Sequence, residues 1–310
     1  METGILSMDH YDETGGQMTT HTTASSEPVA TVPHAQPVVH EVLIENTSGR
    51  VSLGLNEVWY NRELFYFLTW RDIKVRYKQT GLGVTWAVLQ PLASTIVFTL
   101  FFNRVANISS GNIPYPVFAL SGLVSWTFFA NAITQASGSV VASANVVTKI
   151  YFPRLIIPTS TVLSGLPDFL VAFMLLLVIM GIYGVMPSPL IVLLPAVLLL
   201  VVIAALGVGL WLSALNVKYR DVKYIVPVGV QLWLLASPVV YPAASLPSPW
   251  NVLYGINPMV GAIESFRWIV LGGDAPNGML VALSTTVALL LTVSGAFYFR
   301  RTERRFADII

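Results

Sequence analysis

The residues of this chain able to do chemistry are few and scattered. Asp221, Glu264 and Asp274 stand apart from one another, so no paired acids mark a metal-dependent glycosyl-transfer site. All four histidines, His10, His21, His34 and His40, fall in the first 50 residues. Their irregular spacing there favours solvated side chains over a metal site, and no histidine remains elsewhere for a Ser/His pair or a proton relay. There is no cysteine, which excludes disulfides, zinc-thiolate sites and iron–sulfur clusters. No G-x-x-x-x-G-K-[ST] phosphate loop occurs, and Leu163-Ser-Gly-Leu166 is no nucleotide signature; Gly165 there suits close packing. An energy source, if the chain needs one, has to come from outside it.

What remains is one basic segment and several polar columns. Asn145-Val-Val-Thr-Lys-Ile-Tyr-Phe-Pro-Arg-Leu-Ile-Ile-Pro158 carries Lys149 and Arg154 and is broken by Pro153 and Pro158. Such a short, proline-bounded loop is shaped to be gripped. Thr127, Asn131, Gln135 and Ser139 recur at i+4 steps, as do Trp86, Gln90 and Ser94, and Gln231 lies beside Trp233. These columns suit either hydrogen bonding between helices or a pore wall facing hydroxyl-rich cargo. Tyr115, Trp126, Phe128, Phe129, Tyr241, Trp250, Tyr254 and Trp268 crowd the opposite half. They suit an interfacial aromatic belt, or stacking on the apolar faces of sugar rings.

The elements that must hold these residues are membrane helices. Of 310 residues 55% are hydrophobic and 11% charged, against about 25% charged in a soluble domain. Mean hydropathy is +0.69. Six apolar runs approach the ~17–25 residues needed to cross a bilayer: residues 84–103, 117–135, 169–186, 190–215, 224–240 and 279–299. Backbone groups must be satisfied internally in lipid, so an all-α protein is expected. With the N-terminus inside, fifteen of the 17 Lys and Arg fall on the inner side, leaving only Arg104 and Arg267 outside. That bias sets both termini in the cytoplasm and 145–158 on the same side. Asp168 then lies near the inner interface at the start of a crossing, where pairing with a nearby Lys or Arg is favoured over a transport role. Net charge is +1, so there is no bulk electrostatic argument for nucleic acid.

Residues 1–50 contain seven acids and no Lys or Arg before Arg50, and read as a disordered acidic tail without a secretory signal. Residues 51–83 form an expected amphipathic interface helix. Leu64-Phe-Tyr-Phe-Leu-Thr-Trp70 is its membrane-seeking body, and Arg71, Lys74 and Lys78 share one face at i, i+3 and i+7. Such a helix is either a plain anchor or also touches a cytoplasmic partner. After the fifth run, four prolines between Ser237 and Trp250 preclude a continuous helix. Asn257-Pro258 then caps a short apolar helix bearing Glu264 and Arg267. The region 241–271 is too short to cross again and fits a re-entrant excursion on the outer side. Residues 300–310 form a basic inner C-terminus.

Four stretches, in this order, carry a family resemblance: Trp70-Arg-Asp-Ile-Lys-Val-Arg-Tyr-Lys-Gln-Thr-Gly-Leu-Gly-Val-Thr-Trp-Ala-Val-Leu-Gln-Pro91, Asn145 to Pro158, Leu215-Asn-Val-Lys-Tyr-Arg-Asp-Val222, and Phe299-Arg-Arg-Thr-Glu-Arg-Arg-Phe-Ala-Asp-Ile309. Together they resemble the permease subunit of ABC-2 type transporters (the type V exporter fold), in the branch that exports O-antigen, capsule or teichoic-acid chains. The likeness covers about four-fifths of the chain; the long acidic N-terminus departs from the family's usual short one. It implies a half-transporter that pairs with a second copy and with two ABC ATPase subunits. ATP and Mg would bind to those subunits, with no cofactor in this chain. Residues 84–299 would be the transmembrane domain and 145–158 the coupling loop. Lys149, Ile150, Tyr151, Phe152, Pro153 and Arg154 match the part that docks on the ATPase. Arg71, Lys74, Arg76 and Lys78 would meet membrane lipid and the pyrophosphate head of a lipid-linked polysaccharide. The channel would be lined by Trp86, Gln90, Ser94, Asn131, Gln231 and Trp233. Trp126, Tyr241, Trp250, Tyr254, Glu264, Arg267 and Trp268 would form its outer gate. Three other assignments fit the same features: an ABC-2 exporter of a small molecule or drug, a stand-alone membrane glycosyltransferase or flippase-like protein, and a passive scaffold.

Overall fold

The computed structural model describes residues 55–78, 83–107, 111–147, 152–243, 247, 250–303 and 306. The expectations for residues 1–50 and for Lys149, Ile150 and Tyr151 lie outside these residues. The described residues are helical, with no strand among them.

The first two helices, α1 (Leu55–Tyr60) and α2 (Arg62–Lys78), meet at Asn61, whose side-chain amide donates to the Glu57 carbonyl at 2.7 Å. Helix α3 (Gly83–Phe98) contains Pro91, which offers no N–H to the ladder. One turn on, Thr95 donates to the Pro91 carbonyl at 2.8 Å and Thr99 to the Thr95 carbonyl at 2.7 Å. The helix then widens into a π-helical stretch, Thr99–Val105. Helix α4 (Tyr115–Ala142) is followed by the single turn α5 (Ala144–Val147). Helices α6 (Ile156–Leu163) and α7 (Leu166–Ile182) are separated by Ser164 and Gly165, with Pro167 in the first turn of α7. A 3₁₀ turn, Pro189–Leu193, leads into α8 (Leu194–Lys218). There follow α9 (Val222–Leu235), α10 (Trp250–Leu253), a 3₁₀ turn Tyr254–Ile256, α11 (Pro258–Leu271) and α12 (Gly278–Glu303).

Among the described residues, five stretches are long and apolar enough to cross a membrane: Ala87–Val105, Tyr115–Ala142, Ile156–Ile182, Pro189–Lys218 and Gly278–Glu303. Two boundaries differ from the expectation. The third crossing begins at Ile156, inside the segment read as loop, because Pro158 sits in the first turn of α6, where its missing N–H costs nothing. The fifth apolar run yields only the 14 residues of α9, roughly 21 Å of helix against a hydrocarbon core of ~30 Å. Beyond Leu235 the chain turns through residues 236–241, where Pro238 cannot extend a helix.

Helix α4 is the centre of the bundle, 78% of its apolar window being buried, against 11% for α3 with its π-helical extension. It packs on α8, α6, α7, α11, α3 and α9. Helices α8 and α12 cross where both lack a side chain. A Cβ on Gly207 would stand 2.7 Å from the Thr292 nitrogen, and one on Gly295 would stand 2.8 Å from the Gly207 carbonyl oxygen. Small residues at such a crossing let backbones approach without the help of a hydrophobic drive, which lipid does not supply. Thr292 fastens the crossing by donating to the Ile203 carbonyl at 2.8 Å.

Candidate functional site

At one end of the bundle the carboxyl ends of α4, α8 and α12 meet the start of α6. Phe152, Leu155, Ile157, Val140, Leu210, Ala214, Val217, Phe299 and Phe306 form one buried apolar cluster there, flanked by Val58 of α1 and Leu64 of α2. Phe299 and Phe306 meet edge to face, centroids 5.3 Å apart. Arg154 is bound beside them. Its backbone N–H donates to Glu303 Oε1 at 2.9 Å, and its guanidinium donates to the Glu303 carbonyl at 2.6 Å. Arg300 bridges Glu57 at 2.8 Å and Glu303 at 3.7 Å. Phe152 is 6% exposed and Pro153 is buried, because the ring gains more by joining a cluster built from several helices than by facing water. Arg154 likewise turns into the chain.

On α2 the four expected lipid-facing cations divide. Arg71 pairs with its neighbour Asp72 at 2.8 Å. Arg76 pairs with Asp168 of α7 and also donates to Gln135 of α4 and, at 3.3 Å, to Ser164. Tyr77 donates to the same carboxylate. Burial first, and then that hydrogen bond to Asp168, hold the Tyr77 phenol well above its ordinary pKa, so it remains a donor. Asp168 therefore has the structural pairing expected of it, and Gln135 leaves the polar column to serve Arg76. Lys74, 5.5 Å over the Trp70 ring, and Lys78 are exposed. Polar and apolar residues on α2 are not segregated: Tyr66, Phe67, Trp70 and Val75 are exposed along with Lys74.

Among the expected channel residues, Gln90 on α3 and Gln231 on α9 are exposed, and Ser94 and Asn131 are half-buried. Trp86 falls on α3. Trp233 instead joins the core, its ring 5.2 Å from Phe129 and 6.4 Å from Trp126. Trp126 is buried beside the half-buried Trp233, the two rings filling space between α4 and α9. Ser139 is spent on its own helix, donating to the Ala136 carbonyl at 2.8 Å. Asn216, which the sequence did not single out, crosses from α8 to the Ser137 carbonyl at 2.9 Å.

At the opposite end, Asn257 caps α11 as its type predicts, accepting from the Met259 N–H at 3.0 Å. Its amide nitrogen reaches back to Ser237 Oγ at 2.9 Å and the Ala236 carbonyl at 3.1 Å. Arg267 is only 6% exposed. It donates to Glu264 at 3.2 Å and to the Val239 carbonyl, and lies 3.8 Å over the Phe118 ring. Glu264 also accepts from the Ala243 N–H at 3.2 Å. Tyr241 and Tyr254 share a hydroxyl bond of 2.8 Å and stack. These expected gate residues thus form one internal knot that fixes the turn after α9 against α4 and α11. Trp268 packs half-buried on the core, while Trp250 is exposed.

Among the described residues, five long apolar stretches, one of them the buried central helix α4, with polar knots at both ends, define a multi-pass α-helical membrane protein. Residues 63–271 match the ABC-2 type transporter family, and the chain belongs to that family. It is 31% identical over 252 residues to the O-antigen export system permease protein RfbA of Klebsiella pneumoniae, covering 81% of this chain and 96% of that protein. It is 31% identical over 261 residues to the RfbA permease of Myxococcus xanthus, covering 83% and 98%. The polysialic acid transport protein KpsM of Escherichia coli is 25% identical over 244 residues, covering 75% and 91%.

Proposed function

We propose that this chain is the permease subunit of an ATP-driven exporter that carries a lipid-linked polysaccharide across the bacterial cytoplasmic membrane. The observation carrying the proposal is that the match takes in 96% and 98% of two O-antigen export permeases, nearly the whole of each. ATP is hydrolysed by two separate ABC ATPase subunits, which the chain meets at the end bearing Arg154, Glu303 and the α12 carboxyl end. Both termini lie in the cytoplasm, which the distribution of Lys and Arg favours. Residues 1–50 form a cytoplasmic tail. The chain crosses six times, the fifth crossing being α9 completed by the turns after it, with residues 241–271 re-entrant from the outer side. The buried Arg267 knot supports that placement, because non-helical backbone within a bilayer has to be held by protein.

Two copies enclose the channel with α3 and α9. These helices support such a role because they leave much apolar surface uncovered, including Ile96, Val97, Val228 and Leu232, and because Gln90 and Gln231 are exposed on them. Of the four cations Arg71, Lys74, Arg76 and Lys78, the exposed Lys74 and Lys78 are the two that meet the anionic head of the cargo. In a strain lacking this gene, surface polymer is expected to vanish and lipid-linked polymer to accumulate on the inner side, with recovery on complementation. Unchanged surface polymer would reject the function. Replacing Lys74 and Lys78 with Gln is expected to lower export while the complex still assembles; normal export in that variant would remove the two lysines from the cargo site.

A further inference from the structure

On the reading that residues 145–158 receive the movement of the ATPase, we infer that Arg154 and Glu303 are positioning residues that hand this movement to α12, rather than groups that touch the ATPase. Each uses its side chain to hold the other's main chain. The Glu303 carboxylate takes the Arg154 N–H at 2.9 Å, and the Arg154 guanidinium takes the Glu303 carbonyl at 2.6 Å. A shift of the backbone at 154 therefore moves the backbone at 303 or breaks two charge-assisted bonds together. Phe152 and Phe306 add an apolar lock on either side of the clamp, sharing one cluster with Phe299. Arg300, one turn earlier, extends it to Glu57 of α1 at 2.8 Å.

Helix α12 is suited to carry what it receives. Its 26 residues form an unbroken rod, roughly 39 Å long. In the middle it is bolted to α8 by the Gly207–Gly295 crossing, by the stacked Trp211 and Tyr298 rings 4.3 Å apart, and by the Trp211 Nε1–H bond to Ser294 at 3.1 Å. At its far end Ser284 donates to the Asn257 carbonyl at 2.6 Å and accepts from the Gly261 N–H at 3.0 Å. Those two residues begin α11. The loop at one end and the knot of α11 at the other are thus joined through a single rigid helix, with directional bonds at both contacts.

The test uses the whole exporter, this chain with its ATPase subunits, and reads export, ATP hydrolysis and ATPase co-purification side by side. Glu303→Ala is expected to cut export about tenfold, with hydrolysis and co-purification within about twofold of the parent, matching the loss of hydrogen bonds to a charged group. Glu303→Gln keeps an oxygen for the Arg154 N–H and is expected to restore most of the export. Arg301→Ala, exposed on the same turn, is expected to change nothing. If Glu303→Ala does not accumulate, Arg154→Met removes only the guanidinium bond and is read the same way. Normal export in these variants, or loss of co-purification in step with export, overturns the inference. Tyr151→Ala tests the loop by itself: unchanged co-purification and export there would reject the docking role of the loop, whatever the Glu303 variants do.

Discussion

Arg267 shows how a single charge can be structural in a membrane protein. It is buried, yet every face of its guanidinium has a use: a carboxylate, a carbonyl and an aromatic ring. Breaking a buried pair leaves an uncompensated charge and costs about 3–5 kcal/mol. Arg267→Met is therefore expected to lower the unfolding temperature of the purified protein far more than Arg301→Met, and equal temperatures for the two would show that the knot is not structural. Gly122 belongs to the same knot, since a Cβ there would come within 2.6 Å of the Arg267 guanidinium and 2.8 Å of the Val239 carbonyl. Asp168 is a milder case. It is about a quarter exposed, so screening reduces what its pair with Arg76 contributes. Asp168→Ala is expected to cost about 1–3 kcal/mol and to loosen α2 from α7. Limited proteolysis between α2 and α3 would read this, and an unchanged cleavage rate would count against the contact as an anchor.

At the scale of elements, the crossing of α8 and α12 leaves no room for a side chain at either glycine. Gly207→Val places two methyl groups where the Thr292 backbone stands. Overpacking of that kind costs about 1–3 kcal/mol and pushes the helices apart. Gly229 on α9 meets nothing within 4 Å in its own chain. Gly229→Val is expected to leave the stability of the single chain unchanged while Gly207→Val lowers it, as read by thermal unfolding in detergent. If both are neutral, the glycine crossing does not hold α12 in place. The contrast also separates the helices that hold the protomer together from those left for other contacts.

At the scale of the molecule, α3 and α9 leave much of their surface uncovered, and the proposed pairing of two copies would use them. The chain contains no cysteine, so a single introduced thiol cannot bond within its own chain, and a cross-linked species of twice the chain's mass reports a second copy. Val228→Cys on α9 is expected to give a cross-linked dimer in native membranes. Leu199→Cys, exposed on α8, is expected not to. Cross-linking at 199 but not at 228 would move the interface to another face.

Much of this was legible in the residues alone. Apolar run length, proline placement and the distribution of Lys and Arg determined an all-helical membrane chain, the Asn257 cap and the pairing need of Asp168, because these follow from local geometry and from the cost of a lone charge in lipid. The ends of the third crossing and the shortness of α9 were not legible, since apolar composition does not say where a helix stops. Nor were the partners of charges and rings. Glu57 and Arg300 are 243 positions apart, and Arg154 and Glu303 149 apart, so no spacing rule connects them. Trp126 suits an interfacial belt by type alone and is covered because its neighbours in space come from other helices. Only tertiary packing decides which rings are covered and which charges are already satisfied, since that depends on which helix faces meet.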